Sequence, residues 1–281
     1  MLPLMSSGVS EDITEMTNNI GFIGAGKVGT AFGNYLKKSG VPLVGYWSRT
    51  YAHAEASAEF TGSRAYEDMC GLIEDADIVF ITVSDGAIGA VADEIGSPEI
   101  DIAGKTFCHT SGALTSETLD PLRVKGAKVC SAHMLLAVSG RDCDFSDAFF
   151  TVEGDCEKVT EILECCGNQY KKIDPADKVR YHAAAVFASN FVVGLADIAC
   201  NMLGDCGFSE IEALKALAPL IENNVKNIIN KGPKAALTGP VSRGDFGTVK
   251  RHLNSFDNSD SDKIAKDVYE IMTKVLISMV N

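Results

Sequence analysis

From Asn19 onward, short apolar runs alternate with stretches whose apolar residues recur about every three to four positions. That alternation predicts strands and helices in turn, the β-α-β signature of a parallel sheet with helices on its faces. The predicted strands are Ile20–Ile23, Leu43–Trp47, Ile78–Val83, Thr106–His109, Lys128–Ala132, Phe149–Val152 and Gln169–Ile173. They suffice for a complete doubly wound sheet. At Asp174 the pattern changes. Asp174 can cap a helix with Pro175 at its first position, and no strand-like run follows it. Ser209 and Glu212 form a candidate capping box for a further helix, and Ser261 can start a last one through Ile271, Val275 and Met279. The expected fold class is α/β: a doubly wound, mostly parallel sheet followed by an all-helical C-terminal domain, joined directly by the long helix from Pro175.

The most informative segment is Gly24-Ala25-Gly26-Lys27-Val28-Gly29, which follows the first strand and opens a helix. In that context a G-x-G-x-x-G run reads as the turn of a Rossmann-type dinucleotide site. Gly24 permits the tight turn, Gly26 lets backbone approach a pyrophosphate, and Gly29 allows close helix–strand packing. The helix N-terminus then faces the phosphates. About twenty residues further on, where an NAD-preferring protein places Asp or Glu for the ribose hydroxyls, stand Ser48, Arg49 and Thr50. A guanidinium and two hydroxyls suit a 2′-phosphate, so NADP(H) is expected in preference to NAD(H). A plain surface arginine at a strand end is the alternative. Val83-Ser84-Asp85 follows the strand that begins at Ile78, where the nicotinamide half of the cofactor would lie. Capping the next helix is the role expected for Asp85.

Composition narrows the function classes. The 281 residues carry a net charge of −13, which disfavours nucleic acid and anionic lipid as partners. Nine cysteines without a C-x-x-C pair read as reduced, mostly buried thiols of a cytoplasmic protein, and no metal is expected. Ala183–Leu203 is long enough to span a bilayer and holds one charge, Asp197. Its alanines, with Ser189, Asn190 and Asn201, suit a buried helix packed on all sides better than a lipid-facing one. The N-terminal segment up to about Asn19 lacks basic residues and an apolar core, so it reads as a frayed leader and not a secretory signal.

Four motifs carry a family resemblance: Gly24 to Gly29; His109-Thr110-Ser111-Gly112; Tyr181-His182-Ala183-Ala184-Ala185 through Ser189-Asn190; and Ala236-Leu237-Thr238-Gly239-Pro240 through Arg243-Gly244-Asp245. With them the chain resembles the Rossmann-like oxidoreductases related to 6-phosphogluconate and β-hydroxyacid dehydrogenases, ketopantoate reductase and pyrroline-5-carboxylate reductase. Within that group it is most similar to an uncharacterised branch with a helical C-terminal domain of unknown function. The resemblance covers nearly everything after Asn19. After the disordered leader read over 1–18, it implies an NADP-binding Rossmann domain over 19–173 and a helical substrate and dimerisation domain over 174–281, with a homodimer formed through the latter. The β-hydroxyacid dehydrogenase relatives place a Ser or Thr after the fifth strand and a Lys, then an Asn one turn later, on the helix between domains. Ser111 and Lys178 match the first two. His182 replaces the asparagine, and the glycine-rich lead-in to the lysine is absent.

Hydride transfer to a C=O or C=N bond requires a proton donor near the heteroatom. On a regular helix Lys178, His182 and Ser189 fall within about 40° of one face, able to line a cleft. A solvated lysine and a packing histidine are the plain alternative. Lys178, His182, Ser111 and Asn190 are therefore the catalytic candidates. His109, His133, Ser189, Arg243 and Asp245 are the candidate contacts to a small, carboxylate-bearing substrate. Arg243 could grip a carboxylate bidentately, or else pair with Asp245 to hold its loop. The expected function is an NADP-dependent oxidoreductase reducing a small carbonyl or imine. A catalytically silent NADP(H)-binding sensor or scaffold is the competing class.

Overall fold

The structure, a computed structural model, describes residues 18–97, 100–256 and 259–280. The expected leader over 1–18 lies outside the described residues except for Asn18. The chain divides into two compact units, one ending at Ser189 and the other spanning Asn190–Asn281.

The first unit is built on one eight-stranded sheet. Its strands are β1 (Ile20–Ile23), β2 (Leu43–Trp47), β3 (Arg64–Tyr66), β4 (Ile78–Ile81), β5 (Thr106–His109), β6 (Lys128–Leu135), β7 (Phe149–Gly154) and β8 (Gln169–Lys172). They lie in the order β3-β2-β1-β4-β5-β6-β7-β8. β1 to β6 run parallel, β7 is antiparallel to β6, and β8 is parallel to β7. Every residue of β1, β4 and β5 is buried, because crossover helices cover both faces. Those helices include α1 (Lys27–Lys38), α2 (Tyr51–Thr61), α3 (Met69–Asp75) and α4 (Asp85–Ile95), followed by α5 (Asp120–Arg123) and α6 (Glu157–Cys165). One core packs Phe22, Phe32, Phe80 and Phe150 on one face; Leu72, Ile88, Phe107 and Val129 fill the other.

β1 is flanked by β2 on one side and β4 on the other, so the strand order reverses there. In an open α/β sheet the crevice beyond the carboxyl ends of such strands is where a ligand fits. The short edge strand β3 was not expected from sequence. Only Tyr66 of its three residues is buried, so it makes no apolar run. β6 also runs three residues beyond its expected end, because its last residues pair with β7 and not with β5.

Asp174 caps as expected, its carboxylate accepting the Ala176 N–H at 2.8 Å, and Pro175–Asp177 forms a 3-10 turn. The helix that follows is not a single rod. α7 (Lys178–Ala188) ends at Ser189, whose φ of −126° and ψ of −80° leave the helical region, and α8 (Asn190–Asp205) begins anew. The second unit continues with α9 (Glu210–Lys231), α10 (Pro233–Ala236), α11 (Phe246–Ser255) and α12 (Asp260–Val280), and has no strand among its described residues. The Ser209–Glu212 capping box is present in both directions.

Two expectations about burial are corrected. Pro175–Asp205 is by length and composition apolar enough to cross a membrane, but its apolar window is not buried at all within the chain. A helix packed on all sides needs neighbours that the few helices of the second unit do not supply, and Val193 stays 71% exposed. Among the nine free cysteines only Cys108, Cys130 and Cys156 are buried. Cys70, Cys165 and Cys206 are exposed, and Cys143, Cys166 and Cys200 are half-buried.

Candidate functional site

The glycine turn has the geometry its spacing implies. Gly24 has φ +105°, in the region that favours glycine, and a Cβ there would meet the Thr82 carbonyl at 2.8–2.9 Å. At Gly29 a Cβ would stand 2.3 Å from Thr82 Oγ1 and 2.5 Å from the Gly24 carbonyl oxygen, so α1 approaches the strand ends closely only because that residue is glycine. Gly26 has nothing within 4 Å of such a position and is exposed. The helix behind it starts without a side-chain cap or an acidic residue in its first turn. Lys27 is exposed, Val28 half-buried and Ala25 buried, and the Ala25 carbonyl accepts a bond from Ser57 Oγ. The Gly24 N–H donates to the Trp47 carbonyl at 2.8 Å, which ties the end of β2 to the turn and brings Ser48 beside it. Arg49 and Thr50 follow on the surface, and Arg49 forms no ion pair among the described residues.

A polar cluster lies at the carboxyl ends of β4, β5 and β6. Asp85 opens α4 after Val83 and Ser84, and its role is not the expected cap. Ser84 holds the N-cap position, while the Asp85 carboxylate reaches across to accept Ser111 Oγ at 2.8 Å. Ser111 Oγ in turn accepts the N–H groups of Ala113 and Leu114 at 3.2 and 3.1 Å. Its hydroxyl is thereby committed to holding the loop. His109 is fully buried, with Nδ1 accepting the Ser111 N–H and Nε2 near the Thr115 carbonyl, which assigns the proton to Nε2. Burial, aided by the charge of Lys178, pushes its pKa down to about 4. With no exposed surface and both nitrogens engaged by backbone, His109 is withdrawn from the substrate contacts.

Lys178, opening α7, is also buried, which overturns the solvated reading of it. Its ammonium donates to the Ser111 carbonyl at 2.9 Å and to the Ser131 hydroxyl on β6. Desolvation lowers its pKa to about 8, opposed most by the buried carboxylate of Glu153. Glu153 on β7 accepts the N–H and hydroxyl of Ser116 at 2.7 and 2.6 Å.

One turn along α7, His182 Nδ1 is a buried atom without a hydrogen-bond partner. It faces Gly112, where a Cβ would stand 2.5 Å from it and 2.9 Å from His133 Nε2. His133 lies on β6 past the end of β5, paired with Thr151 of β7, and its Nδ1 is 2.6 Å from the Tyr181 hydroxyl. Neither Tyr181 nor Ser131 was given a role from sequence. The signals for Tyr181 were its place at the head of the Tyr181-His182-Ala183 motif and three residues after Lys178. Ser189 is the C-cap of α7, where the backbone leaves the helical region.

Residues 4–134 match the Rossmann-like domain family, and residues 148–275 match the family described as a domain of unknown function, DUF2520. The chain carries a Rossmann-like domain followed by a DUF2520 domain. Those matches meet inside the sheet, so that β7 and β8 complete a sheet begun by the Rossmann-like domain. This bears out the resemblance to a branch with a C-terminal domain of unknown function.

Among solved structures, a protein from Thermotoga maritima is 27% identical, with a TM-score of 0.70 over 93% of this chain and 98% of its own. A protein from Bacteroides fragilis, provisionally described as an NADP oxidoreductase, is 20% identical with a TM-score of 0.75 over the same shares. A reductive aminase from Aspergillus terreus, solved with NADPH and ethyl-5-oxohexanoate, is 18% identical with a TM-score of 0.66 over 94% of each chain. At these identities the last two speak for the fold. No curated protein matches the chain.

The remaining candidates belong to the DUF2520 domain. Asn190 opens α8. Arg243 is exposed in the 3-10 turn Val241–Arg243, and the neighbouring loop residues Thr238, Pro240 and Val241 edge a cavity of about 270 Å³. Asp245 is the N-cap of α11, accepting the N–H and hydroxyl of Thr248 at 3.0 and 2.6 Å. Those bonds hold its carboxyl below the usual range. Its carboxylate serves the helix N-terminus.

Proposed function

We propose that the chain is an NADP(H)-dependent oxidoreductase that reduces a small, carboxylate-bearing carbonyl or imine compound. The observation that carries this reading is a single sheet edge holding both an open glycine turn at Gly26 and the polar cluster of Asp85, Lys178, Tyr181, His133 and His182. The residues present fit a dinucleotide: Gly26 leaves clear space at an uncapped helix start, and Ser48, Arg49 and Thr50 follow the strand tied to that turn. When bound, the cofactor supplies the hydride. The protein's part is to orient the acceptor, exclude water and place a proton at the heteroatom.

Arg49 takes the 2′-phosphate in this reading. Arg49→Ala is expected to weaken NADPH binding by about 1.5–3 kcal/mol, roughly 10- to 150-fold in Kd, and to leave NADH binding unchanged. Fluorescence titration with both cofactors measures it. Equal affinities in the parent protein would remove the NADP assignment.

Arg243 takes the substrate carboxylate. Arg243→Lys keeps the charge but loses the planar fork, so KM for an oxo acid is expected to rise while NADPH affinity holds. An unchanged KM with a lowered Tm would assign Arg243 to structure.

The exposed apolar side chains of the second unit, among them Phe191, Val193, Ile211, Ile229 and Ile271, support a homodimer formed through the helical domain. A charge of −13 argues against nucleic acid or anionic membrane as partner, and nine free thiols suit the reducing cytoplasm. A silent NADP(H)-binding sensor is the second reading, favoured by the commitment of Ser111 and Lys178 to protein partners. Both bind NADPH. Only the oxidoreductase consumes it when offered a panel of oxo acids and cyclic imines.

A further inference from the structure

We propose that the Tyr181 hydroxyl donates the proton that accompanies hydride transfer, and that His133 is the positioning residue that frees that proton to leave. The proposal rests on the oxidoreductase reading. It begins with what the cluster has already committed. Ser111 Oγ donates to Asp85 and accepts two backbone N–H groups. His109 spends both nitrogens on the backbone of its own loop. Lys178 is 1% exposed, and its bonds run inward to the Ser111 carbonyl and Ser131. None of these can reach a substrate without breaking the loop that forms the sheet edge.

Tyr181 differs. It is half-buried, so part of it reaches solvent, and its oxygen is held at 2.6 Å by His133 Nδ1, a short bond for this pair. The two rings meet edge to face with centroids 5.6 Å apart. His133 is itself locked. The His182 ring packs edge-on against it at 5.8 Å, and Gly112 presses on both imidazoles so closely that a Cβ would collide with each.

The protonation state of His133 decides what Tyr181 can do. Burial, then the facing His182 and Lys178, pushes the His133 pKa down to about 4, so the ring is neutral at cellular pH and carries one N–H. With the proton on Nδ1, His133 donates to the phenol oxygen and the phenolic hydrogen points away, free to be given up. With the proton on Nε2, the bare Nδ1 would hold the phenolic hydrogen and Tyr181 could not act. The His133 ring meets the Tyr181 hydroxyl through Nδ1, and the ring's one proton is assigned to that nitrogen as part of the proposal. Desolvation also raises the Tyr181 pKa, so the phenol stays protonated through neutral pH.

The step balances. A hydride adds to the carbonyl carbon, the C=O π bond breaks, and its electron pair takes the phenolic proton to give the alcohol. The tyrosinate oxygen left behind accepts the His133 Nδ1–H bond and regains a proton from solvent. An imine follows the same course to the amine. The groups facing Tyr181 are His133 from β6 and Thr151 from β7, while His182, Lys178 and Asp85 act on His133.

Two measurements on the full chain test this. The first needs no substrate: nitrogen-15 NMR of the histidine rings should find His133 in the Nδ1–H form, altered in Tyr181→Phe. A bare Nδ1 in the parent overturns the proposal. The second compares parent and Tyr181→Phe with NADPH and the oxo acid and imine panel. Tyr181→Phe should bind NADPH as the parent does while kcat falls about 10²–10⁴-fold. In the parent, kcat should stay level from pH 6 to 8 and fall only in the alkaline range, above the ordinary tyrosine value of 10. Full turnover by Tyr181→Phe, or a parent rate that falls through the histidine range, overturns the role of Tyr181 while leaving the oxidoreductase reading intact. Failure of the parent to bind NADPH overturns both.

Discussion

Lowering the pH from 6.5 to 4 is expected to strip about 3 kcal/mol of stability from the first unit through His109 alone. In the folded protein this imidazole is fully buried and its Nδ1 accepts the Ser111 N–H, so protonation must break a buried bond. Its folded pKa of about 4 lies below the 6.5 of an exposed histidine. Between those values the unfolded chain binds the extra proton and the folded chain does not. Stability is therefore complete above pH 6.5, falls as the pH drops, and stops falling below about 4. His133 shifts in the same direction and adds to the loss. Against a typical total of about 5–15 kcal/mol, the two histidines make mild acid a strong denaturant of this unit. Glutamine can offer the same acceptor and donor without titrating. Urea unfolding of the parent and His109→Gln at stepped pH checks the claim: the variant should lose about 3 kcal/mol less over that window. Parallel pH profiles would falsify it.

The second large effect concerns Lys178. Lys178→Met is expected to stay within about 1 kcal/mol of parent stability at pH 7 while kcat falls by about 10². A buried ammonium whose pKa is lowered to about 8 from 10.5 costs the fold about 3 kcal/mol when charged. Methionine removes that cost at similar volume. In return, the Ser111 carbonyl and the Ser131 hydroxyl lose their donor, at about 1–3 kcal/mol, and the two changes nearly cancel. Activity has no such compensation, because Lys178 positions the Ser111–Gly112 loop against which His133 and His182 pack. As a positioning residue it should lower kcat more than it raises KM. The parent carries a further signature. Between pH 8 and 10.5 its unfolded chain holds the lysine proton that the folded chain has released, so stability rises with pH across that window. Lys178→Met should lack this rise. A variant that is both strongly destabilised and fully active would assign Lys178 to packing alone.

What the sequence by itself determined was local. Parallel strands inside a covered sheet read as short, mostly apolar runs, so β1, β2 and β5 were legible to their ends, while the three-residue edge strand β3 left no such trace. Caps and glycine turns carry characteristic residue types at fixed spacing, so the Gly24–Gly29 turn, the Asp174 cap and the Ser209–Glu212 box could all be read from spacing. The site was legible only in part. Lys178 and His182 were recognisable as chemistry-bearing residues, but tertiary structure alone decided that Lys178 is buried, that Ser111 is committed to Asp85, and that His133 holds Tyr181 across 48 residues of chain. A polar side chain carries no periodic signal of its partner. Whether it meets solvent, substrate or another residue depends on which strand ends the sheet order brings together, and that order follows from the packing of the whole unit.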